Sequence, residues 1–385
     1  PVPTDPARTR PSMPSVIQYL TTIHFGSTAI EKLGDLLSEH QVRRPLLVTD
    51  QGIIEAGIIE RIRTEFTATF DQVQTNPDES TVHLGVELYR DSDCDGIVAV
   101  GGGSPIDCAK CIGLLVTHTP PLAQYAVIRG GLNRISAAKP PLIAVPTTSG
   151  TGSEVGRAAL VTLTSGEKLG IISPHMIPTA AICDPELTWQ LPPKLTAATG
   201  MDAISHCVET YCSNRFNPVA DAIALDGLRR ATRSLRRAVE AGQQSQPREE
   251  MMMASLQGGL TFQKGLGMIH SLSHPLGGLA DKRLHHGMLN AIFLPHVLRY
   301  NSAACPQKME QIAAVIGAGD ANSVPEFFEK LTEAIGLPAR LSDLGVERAD
   351  LVGIAAAAMC DHSTASNPRD MTLADCEAML QAALD

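Results

Sequence analysis

Aromatic side chains are scarce in this 385-residue sequence, at 4%, with a single tryptophan. Its cores must be aliphatic and alanine-rich, and 44% apolar residues is enough to fill them. The net charge is -10, which argues against a nucleic-acid partner. No apolar run approaches membrane-spanning length, so no membrane partner is expected. Pro1 to Pro14 is polar and proline-rich and lacks the apolar stretch of a signal peptide. The nine cysteines are odd in number and scattered, which suits reduced thiols in a cytoplasm. Cys108 and Cys111 form one C-x-x-C, but a zinc ribbon needs a second such pair, and these two sit in a helical run where packing explains them.

What is present is a change of rhythm along the chain. Length predicts two domains. Residues 15–45 read as strand then helix, with Thr28-Ala29-Ile30-Glu31 as a capping box. Pro45–Asp50 is a short apolar run ending in a carboxylate, the pattern of a buried parallel strand. A helix from Gly52 to Phe66, a strand at Thr69–Val73 and a helix at 80–91 follow. Further strands are expected at Gly96–Val100, Leu142–Val145 and Ala181–Cys183. Alternation of this kind predicts a Rossmann-like parallel sheet with helices on both faces. Asp184-Pro185 ends it, and Leu191-Pro192-Pro193 reads as a linker. Beyond that, runs at 198–213, 217–240, 248–263, 268–280, 286–300, 306–316, 324–335 and 348–360 have helical periodicity. The expected boundaries are 1–190 for an α/β dinucleotide-binding domain and 191–385 for an all-helical domain holding metal and substrate.

Two small-residue loops follow strands. In Gly101-Gly102-Gly103-Ser104-Pro105-Ile106-Asp107, Ser104 is expected as N-cap, Pro105 at the first helical position and Asp107 closing a capping box. Glycines admit a pyrophosphate to the backbone, and the helix start stabilises its charge. The G-x-G-x-x-G fingerprint is absent. Pro146 to Glu154 is the second loop, rich in hydroxyls and free amides. Two such loops at the carboxyl ends of strands point to a nucleotide.

Four of the twelve histidines lie between Gly265 and Gly287: His270, His274, His285 and His286. His270 and His274 are spaced i, i+4 and share a helix face, and Asp202 with His206 repeats that spacing. A lone histidine is more often structural, but two such pairs in Gly-rich apolar surroundings favour a metal. Imidazoles with a carboxylate suit Fe²⁺, Zn²⁺ or Mn²⁺.

The stretches Gly101–Lys110, Pro146–Glu154, Asp184–Leu187, Gly200–His206, Gly265–Gly278, His286–Ala291 and Asn367-Pro368-Arg369 resemble the iron-containing (group III) alcohol dehydrogenases. The likeness runs over essentially the whole chain, and the architecture it implies is also that of dehydroquinate synthase. Arg44–Asp50, Phe262–Gly265 and Leu284–Gly287 are most similar to the 4-hydroxybutyrate dehydrogenase branch. The resemblance implies Asp202, His206, His270 and His286 as metal ligands, with His285 a neighbour and His274 a catalytic residue near the substrate. It implies dinucleotide contacts from Asp50, Asn76, Gly102, Gly103, Ser104, Asp107, Thr147, Thr148, Thr151 and Lys168. Pro275 predicts a kink after His274.

The expected activity is therefore NAD-dependent, metal-dependent oxidation of a small primary alcohol, with Fe²⁺ first and Zn²⁺ or Mn²⁺ as alternatives. If the substrate is 4-hydroxybutyrate or succinic semialdehyde, its carboxylate needs a cation. Arg157, Phe262 and Lys264 are the candidate substrate residues, Arg157 first because a guanidinium binds a carboxylate through two parallel bonds. A general short-chain alcohol dehydrogenase, a dehydroquinate synthase-like lyase and a metallohydrolase remain alternatives. A cytoplasmic homo-oligomer, a dimer, is expected.

Overall fold

A computed structural model describes residues 17, 19, 21–279, 281, 282 and 284–385; Pro1 to Pro14, read as lacking a signal peptide, lies outside them. In chain order the strands are β1 (Thr22–Phe25), β2 (Pro45–Val48), β3 (Ala68–Phe70), β4 (Gly96–Gly101), β5 (Leu142–Pro146), β6 (Ala158–Thr162), β7 (Lys168–Ile172) and β8 (Ala180–Cys183). Six of them form one parallel sheet in the order β1-β8-β5-β4-β2-β3. The helices among and before these strands are α1 (Leu33–Glu39), α2 (Gln51–Glu55), α3 (Glu79–Asp91) and α4 (Gly103–Leu115).

The strands are apolar on both faces because both faces are covered. Leu46, Val48, Ile97, Ala99, Leu142 and Ala144 pack on one side with Val82 and Val86 of α3 and Ile106 and Ile112 of α4. The intervening Leu47, Val98, Val100, Ile143 and Val145 pack on the other with Leu33, Leu36 and Leu37 of α1. The sequential order of the strands changes direction between β4 and β2, so their carboxyl ends flank a crevice.

Several local expectations change. Thr28 takes a left-handed backbone, φ 61°, and its side chain caps nothing, so the expected capping box does not form. The helix expected from Gly52 to Phe66 stops early because Gly57 turns left-handed, φ 65°, which ends α2 and leaves a 3-10 turn at Ile59–Arg61. Gly102, not Ser104, is the N-cap of α4, and Asp107 points inward instead of closing a box. The antiparallel hairpin β6–β7 was not expected at all.

From residue 193 onward the described residues form helices only: α5 (Pro193–Cys212), α6 (Pro218–Glu240), α7 (Ser245–Leu260), α8 (Met268–Gly277), α9 (His286–Asn301), α10 (Pro306–Ile316), α11 (Val324–Ala334), α12 (Ile354–Cys360) and α13 (Leu373–Leu384). The Leu191-Pro192-Pro193 linker runs straight into α5, with Pro193 at its first position. Pro275 lies inside α8, which ends two residues later at Gly277. Cys108 and Cys111 lie buried in α4 as free thiols, and burial pushes both thiols up, as packing residues.

α5 is buried on nearly every side, the sign of a central helix. α9 crosses it so closely that a Cβ on Gly287 would fall 2.0 Å from the Ala198 carbonyl oxygen. Since that neighbour is backbone, Gly287→Ala should destabilise the fold by at least about 1–3 kcal/mol, the usual cost of overpacking. A calorimetric midpoint equal to that of the unmodified protein would show that α9 can shift freely.

Candidate active site

Asp202 and His206 lie one turn apart on α5, His270 lies near the start of α8, and His286 opens α9. Packing of these three helices points their side chains at one spot. Asp202 Oδ1 stands 3.5 Å from His206 Nε2, 3.7 Å from His270 Nε2 and 3.5 Å from His286 Nε2. A cation held at about 2.1 Å by tetrahedral donors separates them by roughly 3.4 Å, so the spacing fits a metal. Asp202, His206 and His270 offer atoms mutually within 4.8 Å, and His286 joins them through Asp202.

The far side of each ring fixes which nitrogen faces inward. His206 Nδ1 donates to the Gly150 carbonyl at 3.1 Å, and His270 Nδ1 donates to Glu209 Oε2 at 2.5 Å. Their Nε2 lone pairs are thereby left for a cation. Asn290 Nδ2 stands 2.8 Å from Asp202 Oδ1, 3.2 Å from His270 Nε2 and 3.1 Å from His286 Nε2, while its own Oδ1 is buried without a partner among the described residues. Several acceptors thus converge where a Lewis acid is wanted.

Burial and the neighbouring carboxylates act on these rings in opposite directions. Burial opposes charge on His270, but Glu209 and Asp202 outweigh it and push its pKa up to about 9. Burial also opposes charge on Asp202, yet the surrounding imidazoles hold its carboxyl well below the usual range. Burial takes His206 down to about 4. Glu209, overlooked in the sequence, also accepts from the Ile269 amide at 2.6 Å. Its signal was there: Asp202, His206 and Glu209 fall at i, i+4, i+7 on one helix face.

His285 caps α9 from outside the cluster. Among the described residues His274 forms no hydrogen bond or ion pair with Asp202; its Nδ1 donates to Asp361 Oδ2 at 2.8 Å, and its ring stacks on His286 at 5.4 Å. Asp361 was not foreseen.

The two loops meet beside this cluster. Cβ atoms built on Gly102 and Gly103 would come within 3.3 and 2.8 Å of Thr148 and Thr151, so the loops interlock only as glycine. Gly102 provides no side-chain cap to α4, and the first amides of that helix are free to take an anion. The Thr147 hydroxyl is buried without a hydrogen-bond partner among the described residues. Lys168 Nζ donates to Asn76 Oδ1 at 2.6 Å, and the Asn76 backbone amide donates to Ser104 Oγ at 3.3 Å. Burial brings Lys168 down to about 8. Asp50 follows β2 and caps α2 through the Ile53 amide at 3.0 Å. Asp107 departs from the group: it accepts from Ser153 Oγ at 2.5 Å and from the Leu160 amide at 2.9 Å, tying α4 to the hairpin.

The substrate candidates separate. Lys264 is buried and paired with Asp221, its ammonium also donating to the Tyr211 carbonyl at 3.2 Å. Phe262 sets its ring edge-on to His206, centroids 4.7 Å apart. Arg157 is half-buried, without a hydrogen-bond or ion-pair partner among the described residues, on the wall of a cavity of about 330 Å³ shared with Phe262. None of the four clustered residues around Asp202 lines that cavity.

The family profile for iron-containing alcohol dehydrogenase matches residues 21–185, and that for the carboxyl-terminal part of the same family matches 196–384. The chain belongs to the iron-containing alcohol dehydrogenases. It is 46% identical over 379 residues to a 4-hydroxybutyrate dehydrogenase of Cupriavidus necator, covering 96% of this chain and 99% of that one. It is 41% identical to a 1,3-propanediol dehydrogenase of Citrobacter freundii, over 90% of this chain and 92% of the relative. Among solved structures, a 1,3-propanediol oxidoreductase superposes with a TM-score of 0.90 at 39% identity, covering 96% and 100%. A sulfoacetaldehyde reductase from Bifidobacterium kashiwanohense, solved with NAD+, does so at 0.88 and 28% identity, covering 97% and 99%. This alcohol dehydrogenase is an oxidoreductase, and the lyase and hydrolase alternatives are not favoured. No helix among the described residues is long and apolar enough to cross a membrane.

Asp202→Ala, His206→Ala, His270→Ala and His286→Ala should each strip the protein of iron, read by elemental analysis after dialysis, while His285→Ala should keep it. Glu209→Gln, which loses only the carboxylate behind His270, should weaken metal affinity by about 10–100-fold. Full iron content in His206→Ala together with loss in His285→Ala would shift the ligand set.

Proposed function

We propose that this alcohol dehydrogenase interconverts 4-hydroxybutyrate and succinic semialdehyde with NAD and iron. The observation that carries this reading is the 46% identity over nearly the whole of both chains, joined to the convergent Asp202, His206, His270 and His286. When bound, iron supplies a Lewis acid for the substrate oxygen and NAD accepts the hydride. The first turn of α4 and the Thr147, Thr148 and Thr151 hydroxyls hold the pyrophosphate, and Lys168 with Asn76 reaches a ribose. His274 takes the hydroxyl proton, its ring oriented by the bond from Nδ1 to Asp361. The protein works as a dimer on a small molecule.

Asp50 closes the crevice at the end of β2, where a carboxylate accepts from ribose hydroxyls and repels a 2′-phosphate. It also caps α2. Asp50→Ser keeps a capping oxygen and removes the charge, so it separates the two roles. The unmodified enzyme should prefer NAD over NADP in kcat/KM, and the serine variant should lose that preference with little change in thermal midpoint. Equal use of both cofactors before mutation would remove this role.

The neutral 1,3-propanediol of other relatives is the competing substrate class. Lys264 is already paired with Asp221, which leaves Arg157 as the cation for a substrate carboxylate. Loss of a buried charged partner costs on the order of 2–5 kcal/mol, so Arg157→Ala should lower kcat/KM for succinic semialdehyde by about thirtyfold or more. A neutral aldehyde of similar length should lose far less. Equal losses, or a native preference for the neutral compound, would leave a general short-chain alcohol dehydrogenase.

A further inference from the structure

Beside the Asp202 cluster, one more group of side chains among the described residues has metal-ligand chemistry. His274 on α8 meets Asp361 and His362, which directly follow α12, and their ligand atoms lie within 4.8 Å of one another. Asp361 Oδ2 is 2.8 Å from His274 Nδ1, and Asp361 Oδ1 is 3.6 Å from His362 Nδ1. These separations bracket the roughly 3–3.5 Å that a cation at about 2.1 Å imposes on its donors.

The arrangement repeats that of the first cluster. There, His206 and His270 are near-parallel rings 4.7 Å apart at 19°, with Asp202 Oδ1 3.5 and 3.7 Å from their Nε2 atoms. Here, His274 and His362 are near-parallel rings 5.5 Å apart at 16°, with Asp361 bridging them. Two differences set the second group apart. It has three donors where the first has four, and its carboxylate is less buried, the Asp361 side chain being 13% exposed against 4% for Asp202. Both features favour weaker, reversible occupancy.

Position gives the consequence. His274 stacks on His286 on one side and on His362 on the other, so the three rings step outward from the first cluster. The hairpin closes the opposite wall, since a Cβ on Gly170 would lie 3.6 Å from His362 Cε1. A cation here would take the Nδ1 of His274 that now donates to Asp361, and it would sit beside the path to the first cluster.

We propose that His274, Asp361 and His362 form a second, weaker site for a borderline divalent cation such as Zn²⁺, and that filling it inhibits the enzyme. Two imidazoles and one carboxylate select Zn²⁺, Co²⁺ or Ni²⁺ over Mg²⁺, which prefers an all-oxygen shell. Nothing is oxidised or transferred: the cation displaces the Nδ1 proton of His274 to solvent. The inference rests on reading the first cluster as the iron site.

The test uses the full-length enzyme, loaded anaerobically with iron and freed of excess metal. Zn²⁺ should bind as a further equivalent with iron retained and should inhibit, whereas Mg²⁺ should do neither. A brief wash with a weak chelator should restore activity and leave iron in place. His362→Gln and Asp361→Asn should keep their iron, lose the extra equivalent, and need about tenfold more Zn²⁺ or higher for equal inhibition, as loss of a supporting ligand implies. Retained iron in either variant also shows that it has folded. If Zn²⁺ inhibits only as iron is released, or inhibits both variants like the unmodified enzyme, the second site is refuted. If His206→Ala retains iron, the failure belongs to the first assignment instead.

Discussion

The two halves of this protein are held in register by a contact too close for any side chain. Gly152, φ 61°, lies against Gly259 of α7, where a Cβ would come 2.5 Å from the opposing Cα. Two residues earlier, Gly150 is pressed on Thr199 of α5 and gives its carbonyl to His206. A loop that leaves the parallel sheet thus orients a side chain of the helical half. Lys110 fixes the same loop from below, its buried ammonium donating to Ser153 Oγ and to the Gly156 and Ala158 carbonyls at 3.0, 2.9 and 2.7 Å. Charge buried in this way is tolerated because every donor is used. The cofactor loop and the metal-side histidine are one mechanical unit.

Much of the architecture could be read from local pattern. β4 is a run of six residues, all buried, and a strand so apolar can only be central in a covered sheet. The long helices show in the period of their apolar residues, and the histidine spacing marks α8. Less legible were features whose cause is distant in sequence. The hairpin went unread although Ser165-Gly166 is a turn signal and β6 alternates in burial, because its strands are short and half-buried. α13 carried a capping signature in Thr372 and Asp375 that was passed over. Conversely, Thr28 and Ser104 had the right residue types for caps and the wrong backbone, which composition cannot report.

At the candidate site, sequence supplied the donors and the structure supplied their partners. Glu209 behind His270 and Asp361 behind His274 are carboxylates 61 and 87 residues away from the rings they orient. Such pairings depend on helix crossings that no spacing rule contains. The same holds for Lys264: its place next to the histidine stretch made it a substrate candidate, and only tertiary packing shows it spent on Asp221.

One small side chain has a wider reach than its size indicates. Asn76 sits in a left-handed turn at φ 56°, its oxygen taking the Lys168 ammonium and its Nδ2 donating to the Gly277 carbonyl at 3.3 Å. The first bond stays within the α/β half, while the second crosses to the end of α8, the helix that carries His270 and His274. Spreading the halves apart therefore breaks a neutral hydrogen bond, of about 1 kcal/mol net, and leaves the charged one intact. Asn76 works as a latch with a weak arm and a strong one. It ties the Lys168 side of the cleft to the helix of His270 and His274, a second fastening beside the Gly150 and Gly152 contacts that hold the halves together.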